Sequence, residues 1–237
     1  MKVAEAPDQP GQKPMSFFVR PMRMEDIAQV VRVERECFPT GWAPTPFVRE
    51  LRNRRAAYLV ACATADPSQS ESEARAFAAR ERSRQPPSLL QRLVTGVRDR
   101  LVGPALPPPD FSQTIVGFVG VWFMGDESHI TAIGVREQDR RHGVGELLLL
   151  ASIELSLPQR SRLMTLELRV SNRGAQALYE KYGFNPAGVR KRYYADNRED
   201  ALIMTTDEIA APEYQGRLER LRQAHTRRWG PSVRFLG

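Results

Sequence analysis

Ile133-Gly134-Val135-Arg136-Glu137-Gln138-Asp139-Arg140-Arg141-His142-Gly143-Val144-Gly145-Glu146-Leu147-Leu148 is the stretch whose reading decides the fold. Before it, residues 128–135 are rich in β-branched side chains and bounded by turn formers, so they predict a strand. After the polar break at 136–141, Val144, Leu147, Leu148, Ala151 and Leu155 recur at helical spacing, which predicts a helix over 143–157. The glycines therefore sit at a strand-to-helix turn. Glycine lets backbone N–H groups approach a ligand closely, and a helix N-terminus offers unpaired donors with partial positive charge. Phosphate is the natural guest of such a turn. Arg140 and Arg141 add forked guanidinium donors suited to phosphate oxygens, and His142 offers a further donor. Taken alone, the turn also reads as an ordinary Gly-rich connection with solvated arginines. It has neither the Gly-x-Gly-x-x-Gly of dinucleotide folds nor the Gly-Lys-Ser/Thr of a P-loop.

Working outward, Phe17 to Arg20 predicts a short strand. Residues 24–36 predict a helix with Ile27, Val30, Val31 and Val33 on its apolar side, broken by Pro39-Thr40-Gly41-Trp42-Ala43-Pro44. A second helix is expected over 46–54 and a strand over 57–63. Residues 114–123 and 128–135 read as two strands joined by Gly125-Asp126-Glu127. Downstream come a strand at 164–170, a helix at 173–181 and two strands near 187–194 and 201–206. This order predicts an α/β (α+β) domain, a mixed central sheet with helices on both faces.

Leu166-Glu167-Leu168 alternates, so the Glu167 carboxylate points away from its two leucines. A half-buried carboxylate there is expected to have a raised pKa, useful for accepting a proton; a plain surface-strand glutamate is the blander alternative. Tyr179 lies about two turns into the 173–181 helix, where beside Leu178 it reads from spacing as core packing, although a phenol can also donate a proton. Asn172 is placed to cap that helix. His129 on its strand reads as a polar-face histidine and is the second choice for a base.

The chain has 237 residues and a formal net charge of +7, with a pI of about 9.8. Of its 35 basic residues only Lys2, Lys13, Lys181 and Lys191 are lysine. The charge is as readily a composition effect as a binding surface, since no zinc spacing, aromatic RNA-binding motif or recognition helix accompanies it. Direct nucleic-acid binding is therefore not expected. No apolar run reaches 18 residues, so no transmembrane segment is expected. The first 15 residues lack an apolar signal core, and Cys37 and Cys62 show no metal or redox spacing, which points to the cytoplasm.

Arg140-x-x-Gly143-x-Gly145 after Ile133-Gly134-Val135 resembles the acetyl-CoA motif of the GNAT N-acetyltransferases. The similarity continues in Glu34-x-x-Cys37-Phe38-Pro39 with Trp42, Asp126-Glu127-Ser128-His129-Ile130, Leu166-Glu167-Leu168-Arg169-Val170-Ser171-Asn172, Ala177-Leu178-Tyr179, Tyr182-Gly183-Phe184, Arg190-x-x-Tyr193-Tyr194 and Glu199-Asp200-Ala201. These segments resemble the branch that acetylates ribosomal-protein alanine, the RimI type. The resemblance implies a GNAT-like acyl-CoA N-acyltransferase fold and acetyl-CoA as donor, with no metal. It implies Glu167 as base and Tyr179 as acid. Ile133, Gly134, Val135, Arg140, Arg141, His142, Gly143, Val144, Gly145 and Asn172 would hold the donor, with the Val135 N–H polarising the thioester carbonyl. Glu34, Phe38, Trp42, Tyr193 and Tyr194 would frame the peptide. The implied acceptor is the N-terminal alanine of a small-subunit ribosomal protein, the eighteenth. Acetylation of a small amine or lysine, or a non-catalytic acetyl-CoA-sensing module, are the alternatives.

The expected organisation is a flexible N-terminus at 1–15, an acetyltransferase domain at 16–209 interrupted by a partly disordered insert at 66–112, and a basic extension at 210–237. Within the insert, 89–102 carries an apolar stripe at helical spacing. In the extension, 214–228 predicts a basic helix with Leu218 and Leu221 on a thin apolar edge. His225 has no evident partner in the sequence, which also says nothing of oligomeric state.

Overall fold

A computed structural model describes residues 3–5, 15–38, 43–64 and 113–236, together with 72, 75, 76 and 79. The apolar stripe at 89–102 and Trp42 lie outside the described residues. The strands are β1 (Val3–Glu5), β2 (Phe17–Pro21), β3 (Ala56–Ala63), β4 (Thr114–Met124), β5 (Glu127–Val135), β6 (Leu163–Arg169), β7 (Phe184–Arg190), β8 (Ala201–Thr206) and β9 (Val233–Phe235). The helices are α1 (Ile27–Cys37), α2 (Phe47–Glu50), α3 (Val144–Ser156), α4 (Arg173–Lys181) and α5 (Pro212–Trp229).

One sheet runs in the order β1-β9-β2-β3-β4-β5-β6-β8-β7. Its neighbours are antiparallel except for β2 with β9 and β5 with β6. Strand alternation sorts the core onto two faces. Tyr58, Val60 and Cys62 of β3 join Phe18, Phe118 and the α1 residues Ile27, Val30 and Val33 in one cluster. Leu59 and Ala61 face the other way, into a cluster with α3, Tyr179 of α4, and Tyr214 and Leu218 of α5. Leu147, Leu148, Leu149 and Leu150 are all buried, because α3 has the sheet on one side and the C-terminal segment on the other. Each such side chain contributes about 1.5–3 kcal/mol of apolar burial.

One expected strand is corrected. The strand expected near 187–194 runs over Phe184–Arg190. Pro186 and Gly188 look like breakers, but β7 is the sheet's outer strand, where proline is tolerated, and a register shift between the two absorbs the irregularity. The chain then turns at Arg192, whose N–H donates to Asp200 at 2.8 Å. Beyond the basic helix expected in the C-terminal extension, Arg234 of β9 pairs with Val19 of β2, and β1 pairs with β9. Arg234 is 1% exposed and binds Glu154 of α3 at 2.8 and 3.1 Å. A three-residue strand with a central arginine carries no alternation signal from which sequence could find it.

Candidate active site

The site grows from a break in strand pairing. β5 and β6 are paired only from Glu127↔Leu163 to Ile130↔Leu166, although both strands continue, to Val135 and Arg169. Past that point a cavity of about 430 Å³ opens, lined on the β5 side by Ile130, Thr131, Ala132 and Ile133 and on the β6 side by Leu166, Glu167, Leu168 and Arg169. Cys37, Phe38, Asn172, Tyr179 and Tyr194 close it. A broader groove of about 890 Å³ beside α1 and α2 shares no lining residue with this cavity.

Register decides what β5 offers the cavity. Arg136 N–H donates to Val116 C=O at 2.9 Å. In an antiparallel ladder the alternate residues then turn their N–H groups to the other side, so those of Val135 and Ile133 face the open flank towards β6. The Val135 carbonyl is pinned by the Cys37 thiol at 3.2 Å and Arg140 Nε at 3.1 Å. An added Cβ at Gly134 would lie 3.0 Å from Cys37 Sγ, so the thiol would have to shift to admit a side chain there.

Glu167 is held from two sides. His129 Nε2 lies 3.0 Å from one carboxylate oxygen and Arg190 Nε donates to the other at 3.0 Å. The Thr165 hydroxyl lies 2.9 Å from His129 Nδ1 and, for a neutral ring, donates to it, which leaves Nε2–H aimed at Glu167. The expectation of a raised pKa is corrected: the hydrogen bond from His129, reinforced by Arg190, outweighs desolvation and holds the Glu167 carboxyl below the usual range. Tyr179 shows the opposite behaviour. It is 5% exposed and packs against Phe184 with ring centroids 5.7 Å apart. Burial pushes its phenol well above the ordinary value. Among the described residues no hydrogen-bond partner meets its hydroxyl, so the proton stays available to a guest of the cavity.

The glycine turn stands at the head of α3. Gly143 is its N-cap with φ +79°, and no side chain caps it. The first helical bond runs from Leu147 N–H to Gly143 C=O at 2.9 Å, which leaves the N–H groups of Val144, Gly145 and Glu146 outside the ladder. Arg140, Arg141 and His142 lie exposed beside them. Asn172 caps α4 by accepting from Ala175 N–H at 3.1 Å and still lines the cavity, so both roles read from the sequence are compatible.

The expected peptide-framing residues separate. Phe38 and Tyr194 line the cavity. Tyr193 is 50% exposed and packs edge-on against Tyr194 at 5.3 Å. Glu34 does not reach the cavity: its buried carboxylate accepts from the backbone N–H and hydroxyl of Thr45, and so fixes the approach to α2. Sequence reading missed Arg169, which lies 3.9 Å from the Tyr194 ring centroid and bonds Asp196, Asn197 and Glu199, holding the β7–β8 connection over the cavity. It also missed His225, whose Nε2 donates to Gly143 C=O at 3.1 Å.

Among the described residues no group of three or more His, Cys, Asp or Glu side chains gathers as for a metal, and no helix is long and apolar enough to cross a membrane. A family profile described as Acetyltransferase (GNAT) family matches residues 109–184. A Bacillus subtilis protein named putative ribosomal-protein-bS18-alanine N-acetyltransferase is 32% identical over 187 residues, covering 78% of this chain and 92% of its own. A Sulfurisphaera tokodaii N-alpha-acetyltransferase is 28% identical, covering 86% of this chain and 98% of its own. The fold is shared with the crystal structure of the Escherichia coli ribosomal-protein-S18-alanine N-acetyltransferase, at a TM-score of 0.56 and 22% identity over 83% of this chain and 97% of that one. The chain belongs to the GNAT acetyltransferase family and is an N-acetyltransferase.

Proposed function

We propose that the chain moves the acetyl group of acetyl-CoA to the α-amine of a protein N-terminus beginning with alanine, with ribosomal protein bS18 as the substrate. The observation that carries this reading is the cavity between the splayed β5 and β6, where a carboxylate and a buried phenol meet beside unpaired backbone N–H groups. The Sulfurisphaera tokodaii relative is named for N-alpha-acetyl transfer, and the Bacillus subtilis relative is named for alanine of bS18.

The donor fits the head of α3. Unladdered N–H groups at Val144, Gly145 and Glu146 suit a diphosphate, and Gly143 supplies the left-handed turn that presents them. Arg140, Arg141 and His142 supply further positive or donating groups. The Val135 N–H, with Ile133 and Gly134 before it, holds the thioester carbonyl and the negative charge that develops there. The amine nitrogen forms the new bond to carbon as the carbon–sulfur bond breaks. Glu167 takes the nitrogen's proton, directly or through water, and the Tyr179 hydroxyl donates to the departing thiolate. Phe38, Tyr193 and Tyr194, together with Trp42, bracket the peptide, and Glu34 fixes the approach to α2 through Thr45.

Incubation with acetyl-CoA and peptides differing in their first residues, read by mass spectrometry, tests the proposal. Acetylation on the α-nitrogen of the Ala-starting bS18 peptide, faster than on peptides starting with bulky residues, is expected. Modification of lysine side chains alone, or no transfer to any peptide, would overturn it.

A further inference from the structure

The C-terminal segment reaches the donor-binding turn from behind, at two points. His225, 2% exposed, donates from Nε2 to the Gly143 carbonyl at 3.1 Å. One turn of α5 later, Trp229 lies flush against the same residue: a Cβ at Gly143 would stand 2.6 Å from its Cδ1. α5 is itself anchored, by Tyr214 donating to the Tyr182 carbonyl at 2.9 Å and by Arg222 bonding Glu154 of α3 at 3.0 Å.

A peptide unit is planar and trans, so its C=O and N–H point in opposite directions. The carbonyl of Gly143 and the N–H of Val144 belong to one such unit. A donor that fastens the carbonyl towards the protein interior thereby aims the Val144 N–H outward, to the side where a ligand of the turn sits. Leu147 N–H already holds that carbonyl along the helix axis. His225 adds a second bond from outside the helix, and Trp229 stops the turn from sliding back. Donation to the carbonyl also polarises the peptide and strengthens its N–H as a donor.

We infer that His225 is a positioning residue for the donor's diphosphate, with Trp229 as its backstop, so that the C-terminal helix is a built part of the acetyl-CoA site. This inference rests on the proposed placement of the diphosphate at the Gly143 turn. It assigns no chemical step to His225, which acts only through the Gly143–Val144 peptide.

The experiment compares acetyl-CoA with S-acetylpantetheine, which keeps the thioester and lacks the diphosphate, as donors for the same peptide. The KM ratio of the two donors measures what the diphosphate contributes. In H225F the advantage of acetyl-CoA narrows roughly three- to tenfold, the worth of one hydrogen bond, and H225Q, whose amide can still donate, recovers part of it. Equal loss with both donors, or an unchanged ratio, would overturn the inference. If H225F does not fold, H225N, too short to reach Gly143, supplies the same comparison. Failure of the underlying placement is distinguishable, because the wild-type chain would then show no preference for acetyl-CoA over S-acetylpantetheine.

Discussion

Replacing Gly143 by alanine is expected to damage stability and donor binding together, and the structure gives the size of both causes. The residue has φ +79°, in the left-handed region that costs an L side chain about 1–2 kcal/mol. The new Cβ would also meet the Trp229 ring, at 2.6 Å from Cδ1, 2.7 Å from Nε1 and 2.8 Å from Cγ. Carbon atoms rest about 3.5–4.0 Å apart, so the overlap is about 1 Å, and inserting a methyl into such packing costs about 1–3 kcal/mol. The sum is about 2–5 kcal/mol, or a fall of roughly 4–20 °C in Tm for a chain of this size. Urea denaturation of G143A, W229L and the double variant separates the causes. Removing the indole relieves the overlap and leaves the backbone strain, so the double variant should be less damaged than the sum of the singles by about 1–3 kcal/mol. Additivity within about 0.5 kcal/mol would refute the claim that Trp229 packs on the turn. Calorimetry on the folded fraction of G143A should show weaker acetyl-CoA uptake, and undiminished affinity would refute the assignment of the turn as its diphosphate site.

Four further outcomes are expected. E167Q lowers kcat about 10²–10⁴-fold with little change in KM for acetyl-CoA, and a variant retaining a tenth of the wild-type rate would remove Glu167 from the mechanism. Because the folded carboxyl of Glu167 titrates below its unfolded value of 4.5, its ion pairs stabilise the fold above that value. Their contribution is lost as pH falls through the depressed pKa, so denaturation midpoints of wild type and E167Q should converge in acid and differ near neutrality. Y179F should fold normally, since the contact with Phe184 survives, yet lose about 10²-fold or more in kcat; single-turnover kinetics reads this directly. E154A leaves Arg234 buried without its carboxylate, a loss of about 3–5 kcal/mol in chemical denaturation, and a loss under 1 kcal/mol would mean that β9 is not fastened through this pair.

The parts legible in sequence are those whose signals are local. α4 and β8 run over the residues expected, Arg173–Lys181 and Ala201–Thr206, because Asn172 announces the helix start and β-branched residues mark the strand. The glycine turn and the outward aim of Glu167 follow from spacing alone. What sequence could not give depends on partners brought from afar. The lowered pKa of Glu167 comes from His129 on β5 and Arg190 on β7, neither adjacent in the chain. His225 looked unattached because its acceptor is a backbone carbonyl 82 residues earlier. Nothing in the sequence marks Arg234, because its carboxylate partner sits 80 residues upstream on α3.

The correction at Glu167 sharpens the chemistry of the proposed reaction. A carboxylate held below its usual pKa is a poor base towards a resting ammonium, so it cannot strip a proton from a lysine titrating near 10.4. Free α-amines titrate at about 7.7–8.0, and at pH 7 their neutral fraction exceeds that of lysine roughly 200- to 400-fold. The amine can therefore enter already neutral. Once nitrogen bonds to the thioester carbon, its remaining protons become far more acidic than those of a free ammonium, and a weak but permanently ionised acceptor is then sufficient. The hydrogen bonds from His129 and Arg190 favour that ionised form. Such an acceptor is compatible with the proposed chain N-terminus, whose amine demands less basicity than lysine does.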